Sequence, residues 1–117
     1  MKRVLTLLVY LLFASFLANT PQAQNRELEQ VIIGNEGNFN TANATITQYL
    51  VPEKSINDGV FADANGAGIG DVVQSLEWIN GALYAVINNS QKIVVLDPQT
   101  FQQTGQINLP AGASPRE

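Results

Sequence analysis

Residues 76–110, LEWINGALYAVINNSQKIVVLDPQTFQQTGQINLP, decide the fold. Asn80-Gly81 sits between two apolar stretches, and a type I′ hairpin turn needs positive φ at both central positions, which Asn-Gly supplies. Asn89-Ser90-Gln91 makes the next reversal. Asp97-Pro98-Gln99-Thr100 makes the third, with proline presetting φ at the second turn position. The predicted strands are therefore Val72 to Ile79, Ala82 to Asn88, Lys92 to Leu96 and Gln102 to Asn108. In ALYAVI and KIVVL both alternating faces are apolar, so the sheet is covered on both sides, whereas QQTGQIN is polar and belongs at an edge. A four-stranded antiparallel meander buried on both faces is what one blade of a β-propeller requires; a sandwich or small barrel needs more strands than this.

The segment upstream repeats the pattern. VIIGNEGNFNTANATITQYLVPEKSINDGVF runs through an apolar strand, an Asn/Gly turn, an apolar strand, a proline turn and a short strand with a glycine. Pro52 and Pro98 lie 46 residues apart, as do Gly59 and Gly105, and Ile46 and Ile93 lie 47 apart. A period in the forties belongs to propeller repeats. The reading is all-β: a first blade over 31–62 that lacks its innermost strand, a second over 71–109, and the start of a third over 113–117. Ile32, Ile46, Val86 and Leu96 are assigned to blade faces, exposed wherever a neighbouring blade is missing.

The chain opens with MKRVLTLLVYLLFASFLANTPQAQ. Two basic residues, an apolar run from Val4 to Leu17 and a polar stretch follow the order of a secretory signal, and the run is too short for a comfortable membrane span. Residues 1–23 are read as a signal peptide cleaved after Ala23, with Ala18 and Thr20 as alternative sites, and 24–30 as a linker. Cysteine and histidine are absent. This excludes a disulfide scaffold, a lipobox cysteine and a triad built on Ser75 or Ser90. Beyond the signal, Arg26, Lys54, Lys92 and Arg116 face ten carboxylates, a balance that argues against nucleic acid as a partner.

LYAVINNSQKIVVLDPQTFQQTGQI resembles the repeat of YVTN-type, YncE-like secreted propellers. GNEGNF, GIGDVVQS, NNSQKIVVLDPQTF and SPR together resemble the DUF5074-type surface propellers of Bacteroidetes. The resemblance spans Val31 to Arg116. It implies a seven-bladed ring of which this chain is the N-terminal part, closed by a strand from the far C-terminus that takes the innermost position of the first blade. It also implies a binding module at the cell surface or in the periplasm that recognises a small molecule, a glycan or a surface protein. Corrinoid capture beside an outer-membrane transporter is one specific possibility. The alternative is a propeller enzyme, such as a lactonase or a metal-dependent hydrolase, with its catalytic groups in other blades.

DANGAGIGD, residues 63–71, tests the enzymatic and metal readings. An EF-hand counted from Asp63 places Ala67 and Gln74 where oxygen ligands of the metal belong, so two positions fail. A dinucleotide fingerprint would open a helix, but GAGIGD leads into VVQSLEWING, a hairpin. The stretch is read as the connection between blades, and no catalytic residue, metal ligand or cofactor is assigned. The ligand-binding candidates are Glu36, Asn38, Asp71, Gln74, Asn88, Asn89 and Arg116, which fall at strand ends and inter-blade turns, where propellers collect binding residues and where ordinary turn chemistry also uses these residue types. Trp78, before the Asn-Gly turn, is assigned to packing between blades.

Overall fold

The structure, a computed structural model, describes residues 29–116. The expected signal peptide and most of the linker lie outside them. Seven strands form two antiparallel sheets. Sheet A takes β1 (Gln30–Asn35), β2 (Thr45–Leu50) and β3 (Ser55–Asn57) in the order β1-β2-β3. Sheet B takes β4 (Val73–Ile79), β5 (Ala82–Ile87), β6 (Lys92–Leu96) and β7 (Gln103–Asn108) in the order β4-β5-β6-β7. The four predicted strands of sheet B are found within a residue of their expected ends.

The turns work as their chemistry requires. Asn80 and Gly81 adopt φ of 50° and 84°, the two positive angles of a I′ turn. At the third turn Asp97 Oδ1 accepts the N–H groups of Gln99 and Thr100, each at 2.9 Å. Phe101 N–H then reaches the Asp97 carbonyl at 2.8 Å and closes the loop.

Pairing registers separate the two faces of each sheet. In sheet B, Val73, Leu76, Leu83, Ala85, Ile87, Val94 and Leu96 share one face, and Tyr84, Val86, Ile93, Val95 and Ile107 share the other. In sheet A, Ile32, Gly34, Ile46 and Gln48 stand opposite the face bearing Val31, Ile33, Thr47, Tyr49 and Ile56. The core joins Ile46 of sheet A to Leu83, Ala85, Ile87, Val94 and Leu96 of sheet B, with Ile32 packed against it. The two sheets therefore stack face to face. Glycine is needed at position 34 for this approach, because a Cβ there would lie 2.7 Å from Val73 Cγ1.

Four sequence readings need correction. The connection between the sheets is not featureless: residues Val60–Asn65 form a short helix, α1, between left-handed Gly59 and Gly66, and the Gly66 N–H caps it on the Ala62 carbonyl. Val60, Phe61 and Ile69 of this connection join the core, so the domain is mostly rather than wholly β. Gly59 and Gly105 are not structural equivalents. Matching Ile46 to Ile93 brings Gly105, paired with Val95, onto the place of Asn57, paired with Gln48. Ile46 and Leu96 are fully buried and Val86 nearly so; the first two belong to the core that joins the sheets, so they are not open blade faces. Trp78 is 56% exposed rather than packed between sheets.

Candidate functional site

Three separate segments meet at one end of the stacked sheets: the β1–β2 loop, the entry to β4 and the β5–β6 turn. Asp71 lies among them and is buried. Its Oδ2 accepts the backbone N–H of Asn40 at 2.8 Å and the Asn89 side-chain amide at 2.5 Å. The Asn89 amide also donates to Asn40 Oδ1 at 3.0 Å. Asp71 N–H donates to Ser90 Oγ at 2.9 Å, and its carbonyl accepts from Asn89 N–H at 3.2 Å. One carboxylate thus holds a loop of sheet A, a turn of sheet B and its own strand together. Asp71 Oδ1 is buried without a protein partner.

The loop over this cluster is fixed by its own side chains. Asn43 Oδ1 accepts from Asn38 N–H at 2.7 Å and from Thr41 Oγ at 2.6 Å. Asn40 and Ala42 take positive φ, a conformation in which asparagine costs little and alanine more. Two residues of the loop's outer side, Glu36 and Asn38, are exposed, and Phe39 between them and the cluster is 65% exposed. An aromatic this open, among amides and a carboxylate, offers a stacking surface beside hydrogen-bonding groups.

The tail supplies the remaining wall. Asn88 Nδ2 donates to the Pro115 carbonyl at 2.7 Å and to Ser114 Oγ at 3.2 Å, while Leu109 N–H and Gly112 N–H bond the Gln91 carbonyl and side chain. The segment after β7 is drawn back over the β5–β6 turn in the way that Gly70-Asp71 crosses the β1–β2 loop, where Ala44 N–H donates to the Gly70 carbonyl at 3.2 Å.

Of the sequence candidates, Asp71, Asn88 and Asn89 come together. Glu36 and Asn38 stand on the neighbouring loop. Arg116 is exposed at the end of the tail. Gln74 belongs elsewhere: it is the extra residue of a bulge in β4, between Val73 and Ser75, and lines an open groove with Ile32, Gly34 and Leu76 beside the edge of β1 that no described strand pairs. Asn40, Ser90 and Phe39 were missed. Only the turn compositions of GNEGNFNTAN and, for Ser90, of NNSQ hinted at them, and nothing in a sequence says which loop will lean on which strand.

DANGAGIGD divides its polar residues among separate roles. Asn65 is a strap: its amide donates to the Phe61 and Phe101 carbonyls at 2.8 and 2.9 Å, and its Oδ1 accepts Gln103 N–H at 2.8 Å. Asp63 is exposed on α1 and Asp71 is the clamp described above. The two aspartates and Asn65 face three different tasks.

Residues 30–117 match the profile of DUF5074, a domain of unknown function, and the chain belongs to that family. A comparison with curated proteins finds no match.

Proposed function

We propose that this member of the DUF5074 family is an exported binding module whose two sheets are neighbouring blades of a β-propeller, and that it takes its ligand at the end built around Asp71. The observation that carries the reading is the convergence of Asn40, Asp71, Asn88, Asn89 and Ser90 from three segments onto one end, with Phe39 open beside them. Recognition sites on rigid scaffolds are assembled from loops in this way. The inner members bond one another and fix the loops, while Glu36, Asn38 and Phe39 remain outside and free to touch a ligand. That combination suits a small polar molecule or a glycan, with the sugar or ring face on Phe39 and hydroxyls on the amides.

The propeller reading draws support from the meander of sheet B, the repeat of its last three strands in sheet A, and the face-to-face stacking of the two. In sheet A no described strand takes the place beside β1 that β4 takes beside β5, which suits closure by a strand from elsewhere in a ring. Export draws support from the basic start and short apolar run of residues 1–23. Among the described residues no helix is long and apolar enough to cross a membrane.

The test is a binding screen of the secreted protein against soluble glycans and cyanocobalamin, followed by titration of any hit. Phe39→Ala and Asn38→Ala should weaken binding at least tenfold with an unchanged melting temperature. Binding that ignores both substitutions places the ligand elsewhere, and silence across both ligand classes removes the reading.

A further inference from the structure

The chain holds two Asn-Gly pairs, Asn65-Gly66 and Asn80-Gly81, and the fold treats them oppositely. In this dipeptide the backbone nitrogen of the second residue reaches the side-chain amide of the first with the least obstruction, because glycine carries no Cβ. At the first pair both reacting groups are engaged. The Asn65 amide donates to the Phe61 and Phe101 carbonyls, and its Oδ1 accepts Gln103 N–H. The Gly66 N–H, whose nitrogen would be the nucleophile, donates to the Ala62 carbonyl at 2.8 Å.

The second pair is the tip of the hairpin between β4 and β5, beyond the last ladder pair, Ile79 and Ala82. Asn80 and Gly81 are both exposed, so the amide is open to water, and a Cβ on Gly81 would meet nothing within 4 Å. This tip is at the opposite end of sheet B from the β5–β6 turn and the Asp71 cluster. Blades of a ring stack on one another's faces, which leaves a hairpin end outside the contact.

We propose that Asn80 is a site of spontaneous deamidation and isoaspartate formation, and that the strap around Asn65 protects the other pair. Gly81 N gives up its proton and bonds to Asn80 Cγ, closing a five-membered succinimide, while Nδ2 leaves with that proton as ammonia. Water then opens the ring. Cleavage of the new N–Cγ bond gives aspartate; cleavage of the original peptide bond gives isoaspartate, in which the main chain runs through the side-chain carbon. Nothing is oxidised or reduced, and water is the only co-reactant. Either product puts a negative charge on a neutral tip beside the exposed Trp78 and Ile79. The isoaspartate form also adds a methylene to a turn whose geometry is set by two central residues, so pairing of Ile79 with Ala82 loosens while the ladder behind it stays.

Incubation of the secreted protein at body temperature and mildly alkaline pH, followed by peptide mass spectrometry that separates aspartate from isoaspartate, tests it. The peptide holding Asn80 should convert to both products, faster as pH rises, and the peptide holding Asn65 should lag by about tenfold or more because its strap must open first. In urea the two peptides should convert at similar rates, since only the dipeptide then counts. Asn65 reacting as fast as Asn80 in the folded protein overturns the proposal, as does Asn80 that stays intact when folded yet reacts in urea. Asn80→Gly keeps a pair suited to the I′ turn and should abolish the acidic isoform that accumulates on isoelectric focusing. An isoform that accumulates undiminished in this variant also overturns the assignment. None of these readouts depends on a ligand at Phe39.

Discussion

The backbone N–H of Asn40 donates to Asp71 Oδ2 at 2.8 Å across 31 residues of sequence. This bond ties the loop of one sheet to the first strand of the next. Because Asn89 shares the same oxygen, the carboxylate fixes the relative position of both sheets at the candidate site.

Asp71→Ala should therefore cost about 1–2 kcal/mol, since it leaves the half-buried Asn89 amide and the Asn40 backbone N–H without their shared acceptor. Urea melts measure it. Asn89→Ala should cost less, and the double substitution should cost less than the sum by about 0.5 kcal/mol or more, because the two share one bond. Strict additivity would mean that the clamp does not act as a unit.

Asn65→Ala removes one hydrogen bond within α1 and the two that hold the helix to Phe101 and Gln103 at the start of β7. A loss of about 1–2 kcal/mol is expected, with faster amide exchange at Gln103, whose N–H donates to Asn65 Oδ1. Asp63→Ala, on the exposed side of the same helix, should stay within about 0.5 kcal/mol of wild type and leave calcium binding unchanged in a titration. Micromolar calcium affinity lost on that substitution would restore the metal reading of DANGAGIGD.

Two glycines predict opposite outcomes. A Cβ at Gly34 would lie 2.7 Å from Val73 Cγ1, and a β-branched neighbour yields poorly; Gly34→Ala should destabilise by about 1–3 kcal/mol through overpacking. At Gly105 a Cβ would meet Val95 at an ordinary 3.6 Å. Gly105→Ala should be neutral or gain up to about 1 kcal/mol by restricting the unfolded chain. Thermal melts of the pair decide whether the sheets approach as closely as described.

The Asp97 carboxyl is held below its ordinary value of 3.8 by the backbone N–H groups of Thr100 and Gln99. A depressed folded value stabilises the protein above the unfolded one and ceases to do so as pH falls through the folded one. Asp97→Asn should accordingly flatten the acid limb of stability below about pH 4 and leave the pH dependence near neutrality unchanged, because there the carboxyl is ionised in the folded and unfolded chain alike. Melts from neutral pH to pH 2 follow it, and a parallel pair of curves would show that the turn does not hold the charge.

The strands and turns of sheet B and the outline of sheet A are legible in the sequence. Those signals are local: Asn80-Gly81 needs its two positive φ angles wherever it is placed, Asp97-Pro98 makes its turn from adjacent groups, and alternation reports which faces are covered. The helix α1 is not legible there, because its first turn has no side-chain cap to announce it and Asp63, Asn65 and the flanking glycines spell a loop. Which turn residues meet depends instead on how the sheets pack. Asp71 and Gln74 read alike, as polar residues at the entrance of one strand; one is a buried clamp and the other an exposed bulge. Asn65 and Asn40 read as loop residues, yet one straps a helix to β7 and the other caps Asp71. Hydrogen bonds spanning 31 to 49 residues depend on how two sheets stack, and stacking is set by the summed contacts of Ile46, Leu83, Val94 and Leu96 rather than by any short stretch that could be read alone.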